Sequence, residues 1–307
     1  MNGIQKVIKY CAMAFAVFLS VVIIGSIAAV VLRVVAGVAI GNEISESRER
    51  VDLSEQYSAE EIVAQGINSI LIDCSGEILV QPGEVLSIEA TNITEDYEIR
   101  LENGRVSLKS HEPDFLVNVF SWFGDMTEQE KVVVTVPAEF MPQEVKLYSG
   151  SGKVFVDALT ADLLFIDSGF GKVNVTNGNF KETELDTGSG SVTVKDSKLG
   201  KLYLDSGSGA IRMENVVAED AEVDSGSGAV TFAGELTGDC DFETGSGAIT
   251  LSLNGYEEDY RIEADCGSGT FRVNGKKLED GSYGRNVKGE LNIDSGSGSV
   301  SVEFTEE

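Results

Sequence analysis

Eight copies of one ten-residue phrase follow one another between residues 147 and 302, and their spacing is nearly constant. Two of the copies read LDSGSGAIRM at 204–213 and VDSGSGAVTF at 223–232. The first glycines fall at 150, 169, 188, 207, 226, 245, 267 and 296, so five equal intervals are followed by two longer ones. A unit this short cannot bury an apolar face alone, so successive units must stack on one another.

Apolar and polar residues alternate on both sides of each glycine pair, as half-buried strands require. In one copy, Val223 and Val230 should point into the core, whereas Glu222 should point outward. The glycines allow positive φ at the corner between two strands. We therefore predict an all-β fold over residues 147–307, a parallel β-solenoid with about 19 residues in each rung, or turn of the solenoid.

The two longer intervals predict loops at 254–261 and 274–290 between the last rungs. The second loop gathers four cations inside an otherwise acidic region: Lys276, Lys277, Arg285 and Lys288. These side chains are candidates for contact with a partner. The alternative is a solvated loop whose charges balance nearby carboxylates.

Residues 66–146 are β-like but irregular, and the stretch INSILIDCSGEILV at 67–80 resembles a degenerate repeat. Solenoids need atypical ends that prevent edge-to-edge pairing. We predict that this block is the amino-terminal cap, and that Glu303, Glu306 and Glu307 discourage further stacking at the other end. Residues 115–123, which include Trp122, are strongly apolar. They would cover the open end of the core, dip into a membrane or contact a partner.

Residues 10–32 contain no charge, and 23 uncharged, mostly apolar residues are long enough to cross a bilayer. We predict one transmembrane helix there, preceded by a short cytoplasmic tail at 1–9 and followed by a juxtamembrane linker or short helix at 33–65. A cleaved signal peptide is the alternative, although its apolar region is normally shorter. Lys6 and Lys9 precede the span, so the positive-inside rule places the carboxyl-terminal domain outside a single-pass cell membrane protein.

The composition excludes several functions. Aspartate and glutamate number 51 against 23 lysines and arginines, a net charge of −28, so nucleic acid would be repelled. The one histidine, His111, lies outside the repeats, which argues against a Ser-His-Asp arrangement, and a multi-histidine metal site is excluded. Polysaccharide cleavage needs long loops around a groove, and the five short intervals between repeats leave no room for them. We expect the protein not to be an enzyme.

One acidic residue lies two positions before the first glycine of most copies, and stacking would align these residues as an acidic column. Adjacent carboxylates about 4.8 Å apart repel each other, so something should offset the repulsion. Either each aspartate accepts hydrogen bonds from its own corner, or the column binds Ca²⁺, which would then be the only cofactor. The members are Asp167, Asp186, Asp205, Asp224, Glu243, Asp265 and Asp294.

Cysteines are few and scattered, which argues against a disulfide framework. Cys240 and Cys266 would lie on adjacent rungs but about 13 Å apart along the strand, beyond the reach of a disulfide. Cys266 occupies a position that is Ser or Thr in the other copies. We interpret it as a small turn residue.

The repeated pattern [LIV]-D-[ST]-G-S-G-x-[VI]-x-[VLMF] resembles the bacterial "putative adhesin" family, a β-strand-repeat domain of unknown function behind a single membrane anchor. The resemblance covers residues 67–304 and brings no catalytic residues with it. It implies a surface-exposed bacterial protein, an adhesin or an accessory to envelope-stress signalling.

Two hypotheses follow. In the first, a membrane-anchored extracytoplasmic β-solenoid acts as a non-catalytic adhesin-like or scaffold module that binds a protein or a cell-envelope polymer. In the second, the ectodomain is a sensory or regulatory accessory that acts with a membrane partner, because a tail of about nine residues could hardly signal alone.

Overall fold

The structure is a computed structural model that describes residues 50–110, 130–285 and 287–305, and strands are its dominant secondary structure. The first half contains β1 (Arg50–Tyr57), α1 (Ala59–Ala64), β2 (Ser69–Cys74), β3 (Glu77–Gly83), β4 (Leu86–Thr94), β5 (Tyr97–Glu102), β6 (Arg105–Ser110), β7 (Lys131–Pro137), β8 (Glu144–Ser149), β9 (Val154–Asp157), β10 (Thr160–Ser168), β11 (Val173–Thr176) and β12 (Asn179–Thr187). The second half contains β13 (Val192–Ser206), β14 (Ile211–Ser225), β15 (Val230–Thr244), β16 (Ile249–Asn254), a 3₁₀ turn (Glu257–Asp259), β17 (Tyr260–Asp265), β18 (Phe271–Val273), β19 (Lys276–Leu278), β20 (Gly281–Gly284), β21 (Gly289–Ser295) and β22 (Val300–Thr305).

The repeats stack in parallel, and the residues of one copy pair with those one repeat further along the chain. Leu185 pairs with Leu204, and Leu204 pairs with Val223, so each residue lies beside its equivalent in the next copy. We call the strand before each Gly-x-Gly corner the leading strand and the strand after it the trailing strand. Both sets form parallel ladders through the stack, and an all-β, solenoid-like fold is confirmed.

The core lies between the leading and trailing strands and follows the predicted alternation. Val223 and Val230 are fully buried, whereas Glu222 between two buried neighbours is exposed. Burying one valine side chain contributes roughly 1.5–3 kcal/mol. Because every rung repeats the alternation, apolar columns run unbroken along the stack.

The corners need glycine because neighbouring corners pack backbone against backbone. A Cβ added to Gly209 would lie 1.7 Å from the carbonyl oxygen of Gly190 in the rung before it. The residue before the corner is buried in all eight copies and is Ser or Thr in every copy except that of Cys266. Ser225 shows how such a hydroxyl can close the turn. The Ser225 hydroxyl donates to the Gly228 carbonyl at 3.1 Å, and the Gly228 N–H donates back to Ser225 Oγ at 3.0 Å.

A second corner follows each trailing strand, and the sequence analysis did not predict it. It places one residue per rung in the left-handed region, with φ near +50° at Ala158, Asn177, Asp196 and Asn215. Asparagine and aspartate tolerate this conformation better than other non-glycine residues. The Asn215 amide also donates to Asp196 Oδ1 at 2.7 Å, which links one rung to the next.

The order of the last two rungs differs from the order in the sequence. Leading strand β21, from the copy at 296, pairs with β15 on one side and with β17 on the other. Trailing strand β22 likewise lies between β16 and β18. The predicted loops at 254–261 and 274–290 do lie between the last rungs, but the second contains β19 and β20, and the two longer intervals carry the chain past one rung and back. Glu303 lies in β22 and does not terminate the stack.

The amino-terminal end shows the same exchange of order. The rung β2–β3 lies between β8–β9 and a rung formed by β6 and β7. The predicted cap at 66–146 therefore contains two stacked rungs. Its irregular part is β4 and β5, which run antiparallel to β7 and β6. Antiparallel β19 and β20 cover β18 and β17 at the opposite end.

The predicted linker also contains regular structure. Residues 50–57 form β1, antiparallel to β4, because Val51, Leu53 and Tyr57 alternate on its inner side. Helix α1 begins with a capping box, in which the Ser58 hydroxyl and the Glu61 carboxylate each accept a backbone N–H. The charged, apolar-poor sequence of this segment indicates a linker or short helix but not the strand.

Several predictions fall on residues outside the described part of the chain. They are the cytoplasmic tail at 1–9, the transmembrane helix at 10–32, the apolar stretch at 115–123 with Trp122, and the terminal Glu306 and Glu307. In residues 50–110, 130–285 and 287–305, no helix has the length and apolar character that crossing a membrane requires.

Candidate binding faces

The acidic column exists as a geometric feature of the leading strands. Asp167 pairs in register with Asp186, which pairs with Asp205, and the pairing continues through Asp224 and Glu243. Its last two members are then in the reverse of the expected order, because Glu243 pairs with Asp294 and Asp294 with Asp265. All seven side chains lie on the outer face, with one carboxylate on each rung.

Burial and nearby negative charges raise the pKa values of two carboxyl groups in this column. Partial burial raises the pKa of the Asp186 carboxyl, and the charges of Asp167 and Asp205 on either side raise it further. The pKa of Asp224 is raised by burial, then by Asp205 and Asp241. The carboxylates therefore lie close enough to disfavour one another's charge.

The predicted offset by corner hydrogen bonds occurs at one end of the column. Within the described part of the chain, Asp265 alone of the seven accepts a bond from its own corner, the Gly267 N–H at 3.1 Å. The other six carboxylates accept no such bond from their described corners, so solvent and salt must screen them.

The column does not gather the ligands that a cation needs. Among the residues that the structure describes, no three His, Cys, Asp or Glu side chains come together in a way that could hold a metal ion. Ca²⁺ takes six to eight oxygen ligands, and one carboxylate from each rung supplies few of them. We therefore assign no metal site to the acidic column.

The four cations of the second loop lie on separate segments. Lys276 and Lys277 are exposed in β19, whereas Arg285 follows β20. Lys288 precedes β21, and its ammonium pairs with Glu235 at 2.9 Å. One of the four is therefore engaged within the solenoid, as the charge-balance alternative expects, and the other three remain candidates for a partner.

The described cysteines are buried and free. Cys240 and Cys266 are not on adjacent rungs, because the rung of β21 lies between them. Cys74 in β2 pairs in register with Ser149 in β8. Cysteine therefore occupies the Ser/Thr position in two rungs, that of β2 and that of β17. Burial raises the pKa of Cys266 to about 11, which keeps this thiol protonated at neutral pH.

A second feature, which the sequence analysis did not single out, lies on the same outer face near β6. The outward side chains of β2, β6, β8 and β10 form a patch of aromatic, aliphatic and mixed-charge residues that we call the aromatic patch. Its members are Ser69, Leu71, Arg105, Glu144, Lys146, Tyr148, Leu163 and Phe165.

The side chains of the aromatic patch hold one another in place. The ring centroids of Tyr148 and Phe165 are 5.3 Å apart at an interplanar angle of 43°. Lys146 Nζ lies 5.8 Å from the centroid of the Phe165 ring and 2.7 Å from Glu144 Oε1. Arg105 Nη2 donates to the other Glu144 oxygen at 3.0 Å. A cation–π contact and two ion pairs thus fix a preformed surface.

A groove of about 580 Å³ adjoins the patch, with Leu71 and Leu163 in its lining. Its rim is held by the backbone, because the Asn68 N–H donates to the Gly104 carbonyl and the Gln143 N–H donates to the Asn68 carbonyl, both at 2.8 Å. The sequence contained a signal for this site. Tyr148 takes the place of aspartate in the first copy, LYSGSGKVFV, and Phe165 breaks the polar outer column.

The parallel rungs, the Gly-x-Gly corners and the flat outer faces define a class of protein, an all-β, solenoid-like repeat domain. The family model described as Toastrack DUF4097 matches residues 67–307, so the chain belongs to the Toastrack family. The match confirms the resemblance stated above, to an adhesin-like domain of unknown function.

Solved structures that resemble this chain share little sequence with it. A "putative cell adhesion protein" from Clostridium sporogenes is 13% identical with a TM-score of 0.31, covering 84% of this chain and 100% of that one. A "putative adhesin" from Bacteroides fragilis is 12% identical with a TM-score of 0.45, covering 84% and 99%. A "Putative lipid binding protein" from Parabacteroides distasonis is 13% identical with a TM-score of 0.34, covering 82% and 96%. No curated protein matches the chain.

Proposed function

We propose that this protein is a single-pass membrane protein whose extracytoplasmic β-solenoid is a non-catalytic binding module, adhesin-like or scaffolding. The observation that carries the proposal is the parallel stacking of β12 to β15, where consecutive rungs follow without an inserted loop and only local bulges interrupt the register. Such a surface offers broad flat faces, which suit contact with a protein or polymer better than conversion of a small molecule.

The membrane anchor and the orientation rest on the sequence. The uncharged stretch at 10–32 and the lysines before it favour an amino terminus in the cytoplasm and a solenoid outside. In this arrangement the domain meets extracellular polymers and proteins. An envelope-stress accessory would use the same topology but would act on a partner within the membrane.

Co-purification separates the two functions. The full chain is solubilised from membranes in mild detergent, and bound material is identified by mass spectrometry and by carbohydrate analysis. Retention of an envelope polymer or an extracellular protein supports the binding module. A stoichiometric membrane-embedded regulator as the only bound species would contradict it and would favour the accessory.

A further inference from the structure

The charge of the outer face changes along the stack, and this change points to one kind of ligand. Two columns of outward side chains show the change, the acidic column and the one two residues before it. Over the rungs of β12–β15, β21 and β17 these columns contain ten carboxylates and no cation, together with Tyr203 and Asn292. Over β6, β2, β8 and β10 they contain two lysines and two aspartates, and are therefore neutral.

The neutral part coincides with the aromatic patch and its groove. We propose that this surface binds a glycan chain that carries no acidic groups. The proposal rests on the binding function proposed above and names the class of ligand that one face of the module recognises.

The aromatic side chains supply the apolar half of such a site. A pyranose ring has an apolar face of C–H bonds and a rim of hydroxyls, so it needs a flat apolar surface beside polar groups. Tyr148 and Phe165 provide two adjacent rings on the outer face, and Leu71 and Leu163 extend the apolar surface into the groove. Aromatic rings contribute large contact areas at low cost in side-chain entropy.

The polar half consists of groups that can hydrogen-bond to hydroxyls in both directions. Arg105 and the amides of Asn68, Asn103 and Gln143 offer donors, and Glu144 offers acceptors. Ion pairs hold the Arg105 and Glu144 side chains in position, and backbone bonds hold the chain at Asn68 and Gln143, before a ligand arrives. This order reduces the freedom lost on binding. The groove volume lies in the range of about 300–1,000 Å³ that is usual for ligand sites.

The remainder of the face selects against acidic polymers. A chain that follows the stack from Phe165 toward β12 meets the ten carboxylates within a few rungs. These repel a polyanion, most strongly at low salt, whereas a neutral glycan is unaffected.

Isothermal titration calorimetry on the full chain in lipid nanodiscs tests the proposal. The probes are chitohexaose, maltohexaose and cellohexaose, with hexagalacturonate as an acidic chain of equal length. We expect at least one neutral hexasaccharide to bind, and Phe165→Ala and Tyr148→Ala each to weaken it at least tenfold. Phe170→Ala, which removes an exposed ring at a corner outside the patch, should bind like the wild type. Hexagalacturonate should not bind at low salt.

A second measurement protects the test against a variant that fails to fold. Saturation-transfer NMR on the wild-type chain, with irradiation of aromatic protons, should transfer magnetisation to sugar C–H protons. The proposal is overturned if no neutral probe binds, if both ring substitutions leave the affinity unchanged in folded protein, or if hexagalacturonate binds more tightly than the neutral chains. If intact wild-type and Phe165→Ala chains retain the same envelope polymer equally, the binding function stands and this site does not.

Discussion

Single residues at the corners carry the tightest constraints in this fold. The first glycine of a corner faces the same glycine one rung earlier, and a Cβ on Gly207 would lie 2.4 Å from the Gly188 carbonyl oxygen. Gly150 holds the same position in the first copy, yet a Cβ there would lie 3.6 Å from its nearest neighbour, Ser75 Cα. The sequence does not distinguish the two glycines, whereas their neighbours do.

We therefore expect the same substitution to destabilise the protein at one of these positions and to have little effect at the other. Gly207→Ala should lower the free energy of unfolding by about 1–3 kcal/mol, because the backbone of two rungs must move apart. Gly150→Ala should change it by less than about 0.5 kcal/mol. Chemical denaturation of both variants measures the difference. Equal destabilisation would mean that the wider space beside Ser75 does not accommodate a Cβ at residue 150.

The second corner provides a stabilising substitution. Ala158 holds φ of +50° where the equivalent residues are Asn177, Asp196 and Asn215. A left-handed conformation costs an ordinary L-residue about 1–2 kcal/mol, and asparagine less. Ala158→Asn should raise the melting temperature by a few degrees, whereas Ala210→Asn, at an exposed residue without positive φ, should not. A lower melting temperature for Ala158→Asn than for wild type would refute this interpretation.

At the scale of strands, the acidic column should make stability depend on pH and salt. Asp186 and Asp224 have pKa values raised in the folded protein, and Asp205 is a shared cause. A raised pKa means that the native state holds its protons more tightly than the unfolded chain. This contribution to stability is complete below the unfolded pKa of about 3.9 and is lost as pH rises above it.

Asp205→Asn isolates that effect from the other carboxyl groups. The variant should melt at a higher temperature than wild type at pH 7 and low salt, because two repulsive contacts are removed. The gain should shrink at pH 3 and in 0.5 M NaCl. Calorimetry at the two pH values and two salt concentrations measures it. A gain that is the same under all conditions would show that repulsion within the column is not its cause.

The geometry of the same column predicts that calcium does not change the thermal stability of the protein. Because its carboxylates are distributed one to a rung, we expect the melting temperature to be equal in excess chelator and in millimolar Ca²⁺ at constant ionic strength. A marked rise with Ca²⁺ that Asp205→Asn removes would instead establish the column as a cation site.

The sequence predicts the strands of the solenoid well, but it predicts less well which rungs lie next to one another. The constant repeat period determines which residues align in the interior, so the burial of Val223 and the alignment of Asp186 with Asp205 follow from counting. The aromatic patch could not be recognised in the same way. It pairs Arg105 with Glu144 and brings Leu71 and Leu163 to one groove, and this arrangement depends on a rung order that no local pattern encodes.

At the scale of the whole stack, the exchanged order at both ends determines which strands exchange slowly with solvent. Strands β21 and β22 come last in the sequence but have a parallel neighbour on each side. Strands β19 and β20 each pair with one strand, and only over three or four residues. We expect hydrogen exchange measured by mass spectrometry to be much slower in 289–305 than in 276–284. Similar rates in the two segments would contradict the rung order.

The predicted topology can be tested on intact cells. Because Lys6 and Lys9 precede the apolar stretch, protease added outside should remove the solenoid and leave an amino-terminal fragment in the membrane. Immunoblotting with epitopes at either end distinguishes the two parts. Digestion of residues 42–307 only after lysis would reverse the orientation, and with it the proposed surface functions.

The enclosed position of the last rung also limits how such a domain can grow during evolution. A unit added after Thr305 would begin beside a strand that is already paired on both sides, so it would have no open edge to extend. A unit duplicated between residues 158 and 245 would instead enter the ladder in register, since each copy there is followed directly by its equivalent. Relatives of different length should therefore differ by whole repeats in the middle of the chain, while the segments that form both ends keep their lengths.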